Sequence, residues 1–282
     1  MRNTQRSQKI AFFFLFLATL LIVLPVGLIV VIIVQKGLPA INWQFLSDIP
    51  RQGMRAGGIF PAIVGTFYLV FGAVVFALPI GLLAAIYLSE YAKDSLLNRI
   101  IKLAIINLSG VPSVVYGLFG LALFVVFLKF GASILSGSLT LGIMILPIII
   151  TTSREALESV PQSFREVSLS LGASKWQTIR HIVLPNAIPG ILTGMILGLG
   201  RAAGETAPIL FTVAAFYLPR LPKSIFDQAM ALPYHLYVIS TQVPNVDEKV
   251  RYGTALVLLF LVLVMNLVAI IIRYNFRKKK KW

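Results

Sequence analysis

Glu166-Val-Ser-Leu-Ser-Leu-Gly172-Ala-Ser-Lys-Trp-Gln-Thr-Ile-Arg-His-Ile182-Val-Leu184-Pro185 is a polar stretch inside an otherwise strongly apolar chain. Apolar runs flank it at about 134–152 and 187–216, each approaching or exceeding the ~20 residues a helix needs to cross a bilayer. A turn between two spans requires only a few residues, so a segment running from Ser153 to Asn186 has something to contact. Pro161 ends the descent from the preceding run. Ser163 can cap a first short helix through residue 171, with Glu166 at its N3 position closing a capping box. Gly172 supplies the left-handed residue that stops this helix. Ser174 caps a second, carrying Trp176, Ile179 and Ile182 on one side, and Pro185 is expected to end it before the next span. The product is a compact knob able to seat in a cleft and pass on rigid-body motion. The same pattern also fits an amphipathic loop lying on a membrane.

Composition carries the membrane reading further. The chain is 58% hydrophobic and 12% charged, whereas soluble domains carry about a quarter charged residues. Six apolar runs stand out, at about 10–34, 59–89, 100–128, 134–152, 187–216 and 252–273. None alternates with period two, so spanning helices are expected rather than a barrel, and the fold class is an all-α membrane protein of six transmembrane helices. Pro25, Pro79, Pro112, Pro147 and Pro208 predict kinks and tilts. The first run is longer than the ~7–15 residues of a signal-peptide core and no small-x-small site follows it. The net charge of +15 is distributed by side: with the N-terminus inside, sixteen basic residues fall on inner segments and eight on outer ones. This bias predicts both termini and the long loop in the cytoplasm. The tail Arg277–Lys281 reads as a topology and headgroup anchor rather than a nucleic-acid site. The chain divides into an N-terminal helix and outer segment (1–58), a core of five spans (59–275) with the loop at about 153–186, and a basic tail (276–282). Of the outer segments, Gln35–Gly58 is turn-rich. Leu218–Arg251 carries Tyr234, His235 and Tyr237, expected at headgroup level as an aromatic belt; these segments can dock a soluble partner or simply close the bundle.

The chemical inventory excludes an enzyme. There is no cysteine, hence no disulfide, thiolate metal site or thiol nucleophile. No G-x4-G-K-[S/T] loop occurs; if ATP drives this protein, the ATPase is another chain and this one binds no cofactor. No nucleophile elbow, no H-E-x-x-H and no carboxylate pair in a plausible site is present, and His181 and His235 fall on opposite sides, so no metal site is expected. The exceptional segment is Gly198-Leu-Gly-Arg201-Ala-Ala-Gly-Glu205-Thr206-Ala-Pro208. An arginine and a glutamate in a span each cost on the order of 2.5–3.5 kcal/mol on insertion scales. At i,i+4 they share a helix face. They form either a self-satisfied pair that holds the bundle, or a site at which Arg201 meets a crossing anion while Glu205 orients it. A second polar insertion, Asn107 to Gly117, contains Pro112, Ser113 and Tyr116; its hydroxyls can line a path or serve as interhelical glue.

The loop fits the pattern E-A-A-x3-G-x9-I-x-L-P. Glu166, Gly172, Ile182, Leu184 and Pro185 match, and Val167 and Ser168 stand where the pattern has alanines. With Gly110-Val-Pro-Ser-Val-Val-Tyr-Gly-Leu-Phe-Gly120 and Arg201–Pro208, it resembles the PstA-type permease family of bacterial phosphate ABC importers, from about residue 55 onward. The resemblance implies a type I importer-like fold with a coupling-helix loop in which Glu166, Gly172, Ala173, Ser174, Ile182, Leu184 and Pro185 serve the ATPase contact. It implies a substrate path along Arg201, Glu205, Thr206, Ser113 and Tyr116. It further implies a heterodimer with a second permease, two cytosolic ATPase subunits that carry the ATP, an external phosphate-binding protein, and residence in the bacterial cytoplasmic (inner) membrane. The C-type partner permease of the same system, a permease for sulfate or molybdate, a stand-alone secondary transporter and a membrane scaffold are the alternatives.

Overall fold

The computed structural model describes residues 2–278; Lys279–Lys281 of the basic tail lie outside the described residues. Helix α1 (Arg2–Gly37) leads, through one 3₁₀ turn, to the short α2 (Trp43–Ser47), and a two-residue hairpin, β1 (Pro50–Arg51) with β2 (Ala56–Gly57), precedes α3 (Phe60–Ile86). Helix α3 closes in a π-turn, Tyr87–Tyr91. Then come α4 (Leu96–Ser109), α5 (Ser113–Gly120) with a π-turn to Phe127, and α6 (Ile134–Glu158). The loop holds α7 (Gln162–Ser170) and α8 (Lys175–Thr178); α9 (Leu184–Gly204), α10 (Ala207–Thr212), α11 (Leu232–Thr241) and α12 (Glu248–Lys278) complete the chain.

The core is α3 packed on α6, with α9 packed against both. Small residues make this possible: Ala62, Thr66, Ala73, Ala77, Gly81 and Ala85 recur along one face of α3 and are all buried. A Cβ added to Gly81 would stand 2.7 Å from the Ile149 side chain of α6. Lipid supplies no hydrophobic drive between helices, so this close approach of backbones is what holds such a pair. In α6, 67% of the most apolar stretch is buried; in α1 none is.

Five helices are long and apolar enough to span a membrane, and α4 with α5 makes a sixth, bent by 101°. The run 100–128 is therefore a broken span rather than a kinked rod. Pro112 removes one amide at the break. The Tyr116 hydroxyl donates to the Leu108 carbonyl at 2.8 Å, satisfying an oxygen freed at the end of α4.

Four local expectations are corrected. Pro185 does not end a helix: Lys175–Gly204 is one continuous span, because the π-turn Ile179–Val183 between α8 and α9 loosens the turn where the proline ring would meet the preceding carbonyls. The span 187–216 stops at Gly204 instead, and α10 is a separate short piece. Ser163 is no cap; α7 starts after Pro161, whose fixed φ suits that position, and no capping bond forms there. Tyr234 and His235 form no belt: both lie on the buried side of α11, and only Tyr237 is exposed. There the Leu232 amide donates to Thr66 Oγ1 of α3 at 2.8 Å. Burial with no charge nearby draws the His235 pKa down to about 4.

Candidate functional site

Two polar clusters interrupt the apolar pattern, one inside the bundle and one at its end. In the first, α9 terminates at Gly204 and the backbone turns extended at Glu205, with φ −77° and ψ 137°. Arg201 and Glu205 thus do not share a continuous helix face, as their spacing suggests. The pair forms because Glu205 turns back, placing its Oε1 3.5 Å from Arg201 Nε. That is the outer limit of a hydrogen bond. The Nη1 and Nη2 groups make no hydrogen bond among the described residues, so most of the five donors of the guanidinium are uncommitted.

Helix α5 is drawn to the same place. Gly117 is the crossing point: a Cβ there would lie 2.7 Å from the Phe211 ring and 3.0 Å from the Ala207 carbonyl, so only glycine lets α5 lie on α10. The neighbouring Tyr116 is buried and close enough to Arg201 to feel its charge, but its hydroxyl is committed to Leu108. Ser113 begins α5, half-buried, and neither its hydroxyl nor that of Thr206 is hydrogen-bonded among the described residues. Asn266 of α12 is a member the sequence reading missed. A Cβ on Gly200 would lie 3.4 Å from its Nδ2, and its Oδ1 has no partner among the described residues. A lone amide in the run 252–273 carries no spacing signal. An open guanidinium can hold an oxyanion; the site offers no nucleophile paired with a base.

The second cluster is the loop. Gly172 has φ +84°, and nothing lies within 4 Å of a Cβ built there, so backbone conformation rather than space demands glycine. The turn is closed by the Ala173 amide on the Ser168 carbonyl at 3.2 Å. A capping box does form, at Ser174 and Gln177: the Ser174 amide donates to Gln177 Oε1 at 2.7 Å and the Gln177 amide to Ser174 Oγ at 3.3 Å. Glu166, Leu171, Gly172 and Trp176 form an exposed tip, whereas Ile179 is buried, so Trp176 and Ile179 do not share a side. Ile182 and Leu184 are half-buried and Pro185 is exposed, at the root where the loop becomes α9.

Two further residues escaped the sequence reading because they lie 75 positions apart. Arg165 of α7 donates through Nη2 to Glu90 Oε1 at 2.7 Å and through Nε to Glu90 Oε2 at 3.3 Å. Its Nη2 also reaches the Leu157 carbonyl at 2.9 Å and its Nη1 the Val160 carbonyl. Beside them, the Lys175 ammonium stands 4.8 Å from the centre of the Tyr91 ring.

Long apolar helices around a broken span, with a polar helix-turn-helix loop fused to another span, define an ABC importer permease. The chain belongs to the family described as binding-protein-dependent transport system inner membrane component, which residues 77–282 match. It is 35% identical over 266 residues, covering 89% of this chain and 90% of the relative, to the probable ABC transporter permease protein YqgI of Bacillus subtilis. It is 33% identical over 287 residues, covering 99% and 91%, to the phosphate transport system permease protein PstA 1 of Mycobacterium tuberculosis. Its fold follows the crystal structure of a bacterial ABC transporter involved in import of the acidic polysaccharide alginate, with a TM-score of 0.60 at 16% identity over 94% of this chain and 93% of that one. It is a multi-pass, non-catalytic inner-membrane component that works with ATPase and binding-protein partners.

Proposed function

We propose that this chain is the permease subunit of an importer that moves inorganic phosphate inward, with Arg201 meeting the anion in the membrane. The observation that carries the reading is the open guanidinium of Arg201 at the α9–α10 break. A phosphate bearing one to two negative charges cannot cross apolar surroundings without a positive partner. Arg201 keeps its charge at every working pH, and Glu205 offsets part of the attraction so that the anion can leave. Relatives named as phosphate permeases support the choice of anion. The exposed tip around Glu166 and Gly172 seats on the ATPase, which holds the ATP. A second permease stands beside this one, with the external binding protein delivering phosphate and both termini in the cytoplasm.

Uptake by the complex reconstituted in proteoliposomes, with unlabelled phosphate, sulfate or molybdate as competitor, tests the substrate. Only phosphate is expected to compete. Competition by sulfate or molybdate alone would reassign the chain to another oxyanion.

A further inference from the structure

Helix α7 buries none of its side chains among the described residues. It is bracketed by turns at Pro161 and at Gly172, and the Ser168 and Thr178 hydroxyls link it to α8 at 2.9 Å. Besides its main-chain link to α6 and its packing on the π-turn Ile179–Val183, it is attached to the spans by Arg165. That one guanidinium grips both carboxylate oxygens of Glu90 and the last carbonyls of α6. The arginine and glutamate side chains are only 13% and 8% exposed, so the pair is little screened by salt, unlike the exposed Lys36–Glu248 pair. Beneath it, Ala85, Ile86, Leu157, Val160, Ile179 and Val183 pack into one apolar cluster. The ends of α3 and α6 and the root of α9 therefore form a single block. The second half of the loop holds the same turn of α3 through Lys175 over Tyr91.

We propose that Glu90 and Arg165 form the joint through which movement of the loop is delivered to α3 and α6, with the π-turn Tyr87–Tyr91 as its receiving end. The main chain from α8 runs into α9 alone. Without the joint, α7 keeps its main-chain link to α6 and its packing on the π-turn Ile179–Val183, but its polar grip on the end of α3 is lost, leaving the apolar cluster and Lys175 to carry the load. With it, a push on the loop reaches three spans together. These are positioning residues, not substrate ligands. The inference rests on the reading of the loop as the ATPase seat.

The test uses the whole importer in proteoliposomes, with inorganic phosphate and ATP, and reads phosphate taken up per ATP hydrolysed together with ATPase co-purification. Glu90→Leu with Arg165→Met keeps the site filled and neutral. The assembled complex is expected to hydrolyse ATP while its transport ratio falls about tenfold, a coupling of about 1.4 kcal/mol. Arg165→Lys, which keeps the charge but loses the fork, should lie between the two. A second double variant guards against failed assembly. The chain has no native cysteine, so Glu90→Cys with Arg165→Cys can be bridged by a reversible bifunctional thiol reagent. The ratio is expected to be low when open and restored when bridged.

A wild-type ratio in the neutral double variant, or loss of transport on bridging, overturns the joint. Gly172→Val separates this from failure of the underlying reading, because valine resists the positive φ and deforms the tip. If Gly172→Val uncouples and the joint variants do not, the loop reading stands and the joint is wrong. If Gly172→Val transports at the normal ratio, the loop reading falls and the joint falls with it.

Discussion

Arg165 and Arg201 each face a glutamate, yet the two pairs are built to opposite ends. Arg165 is gripped at 2.7 Å and has two backbone carbonyls besides its carboxylate. Arg201 has one contact, at 3.5 Å, and its terminal nitrogens are open among the described residues. A buried ion pair offsets its desolvation only when geometry and extra hydrogen bonds complete it. The first pair meets that condition and commits four of the five guanidinium donors. The second does not, and under the proposed function that incompleteness is what a transient anion site needs: charge to attract an anion, and too few fixed contacts to keep it.

The sharpest way to break the contrast is to remove one member of the complete pair. Arg165→Met leaves Glu90 buried and unpaired, and the complex should lose about 3–5 kcal/mol of stability, read as yield and thermal midpoint. Adding Glu90→Leu should recover most of it. If the single and double variants are equally unstable, charge compensation does not govern that site.

The open pair should behave in reverse. Arg201→Gln is expected to cost less stability than Arg165→Met, because it gives up a single contact at 3.5 Å rather than four, while phosphate uptake falls about tenfold or more, equivalent to about 1.4 kcal/mol or above. Full uptake in a well-assembled Arg201→Gln complex removes the anion role. Exchanging the two residues, Arg201→Glu with Glu205→Arg, keeps an internal pair but moves the cation past the helix end. Uptake should then stay near the level of the single variants, whereas recovery would mean that pairing alone matters.

His235 extends the comparison to a buried polar group with no charged partner. Its folded pKa, about 4, lies below the ordinary 6.5. The unfolded chain therefore takes up the proton first, and the contribution to stability is full above about pH 6.5 and lost as pH falls toward 4. Between pH 7.5 and 6 the loss should be somewhat under about 1 kcal/mol. His235→Phe should flatten the thermal midpoint over that interval; an unchanged slope would place the acid sensitivity elsewhere.

The sequence revealed what short-range chemistry decides. Gly172 takes the positive φ that a left-handed stop demands, Ser174 caps the next helix, and Pro112 marks a disturbance in the span, though a kink rather than the 101° break was expected. It concealed what depends on distant packing. Glu90 sits at the end of an apolar run, where a carboxylate looks like an ordinary span terminus, and its partner is 75 residues away. Asn266 gains its place only from the Gly200 surface across from it. Tyr234 and His235 read as interfacial residues because nothing local says that α11 folds inward onto Thr66. Pro185 was misleading for a subtler reason: proline forbids a regular α-turn, but a π-turn is another way to continue the helix.

That continuity turns the fifth span into a gear. Lys175–Gly204 runs unbroken for 30 residues, about 45 Å at 1.5 Å per residue. Rotating such a rod about its loop end by about 5° displaces the far end by about 4 Å over that length. An N–H···O contact is made or lost over about 1 Å. Under the proposed function, a rotation of the rod at the loop of only about 1–2° would be enough to change the reach of the Arg201 guanidinium by about 1 Å.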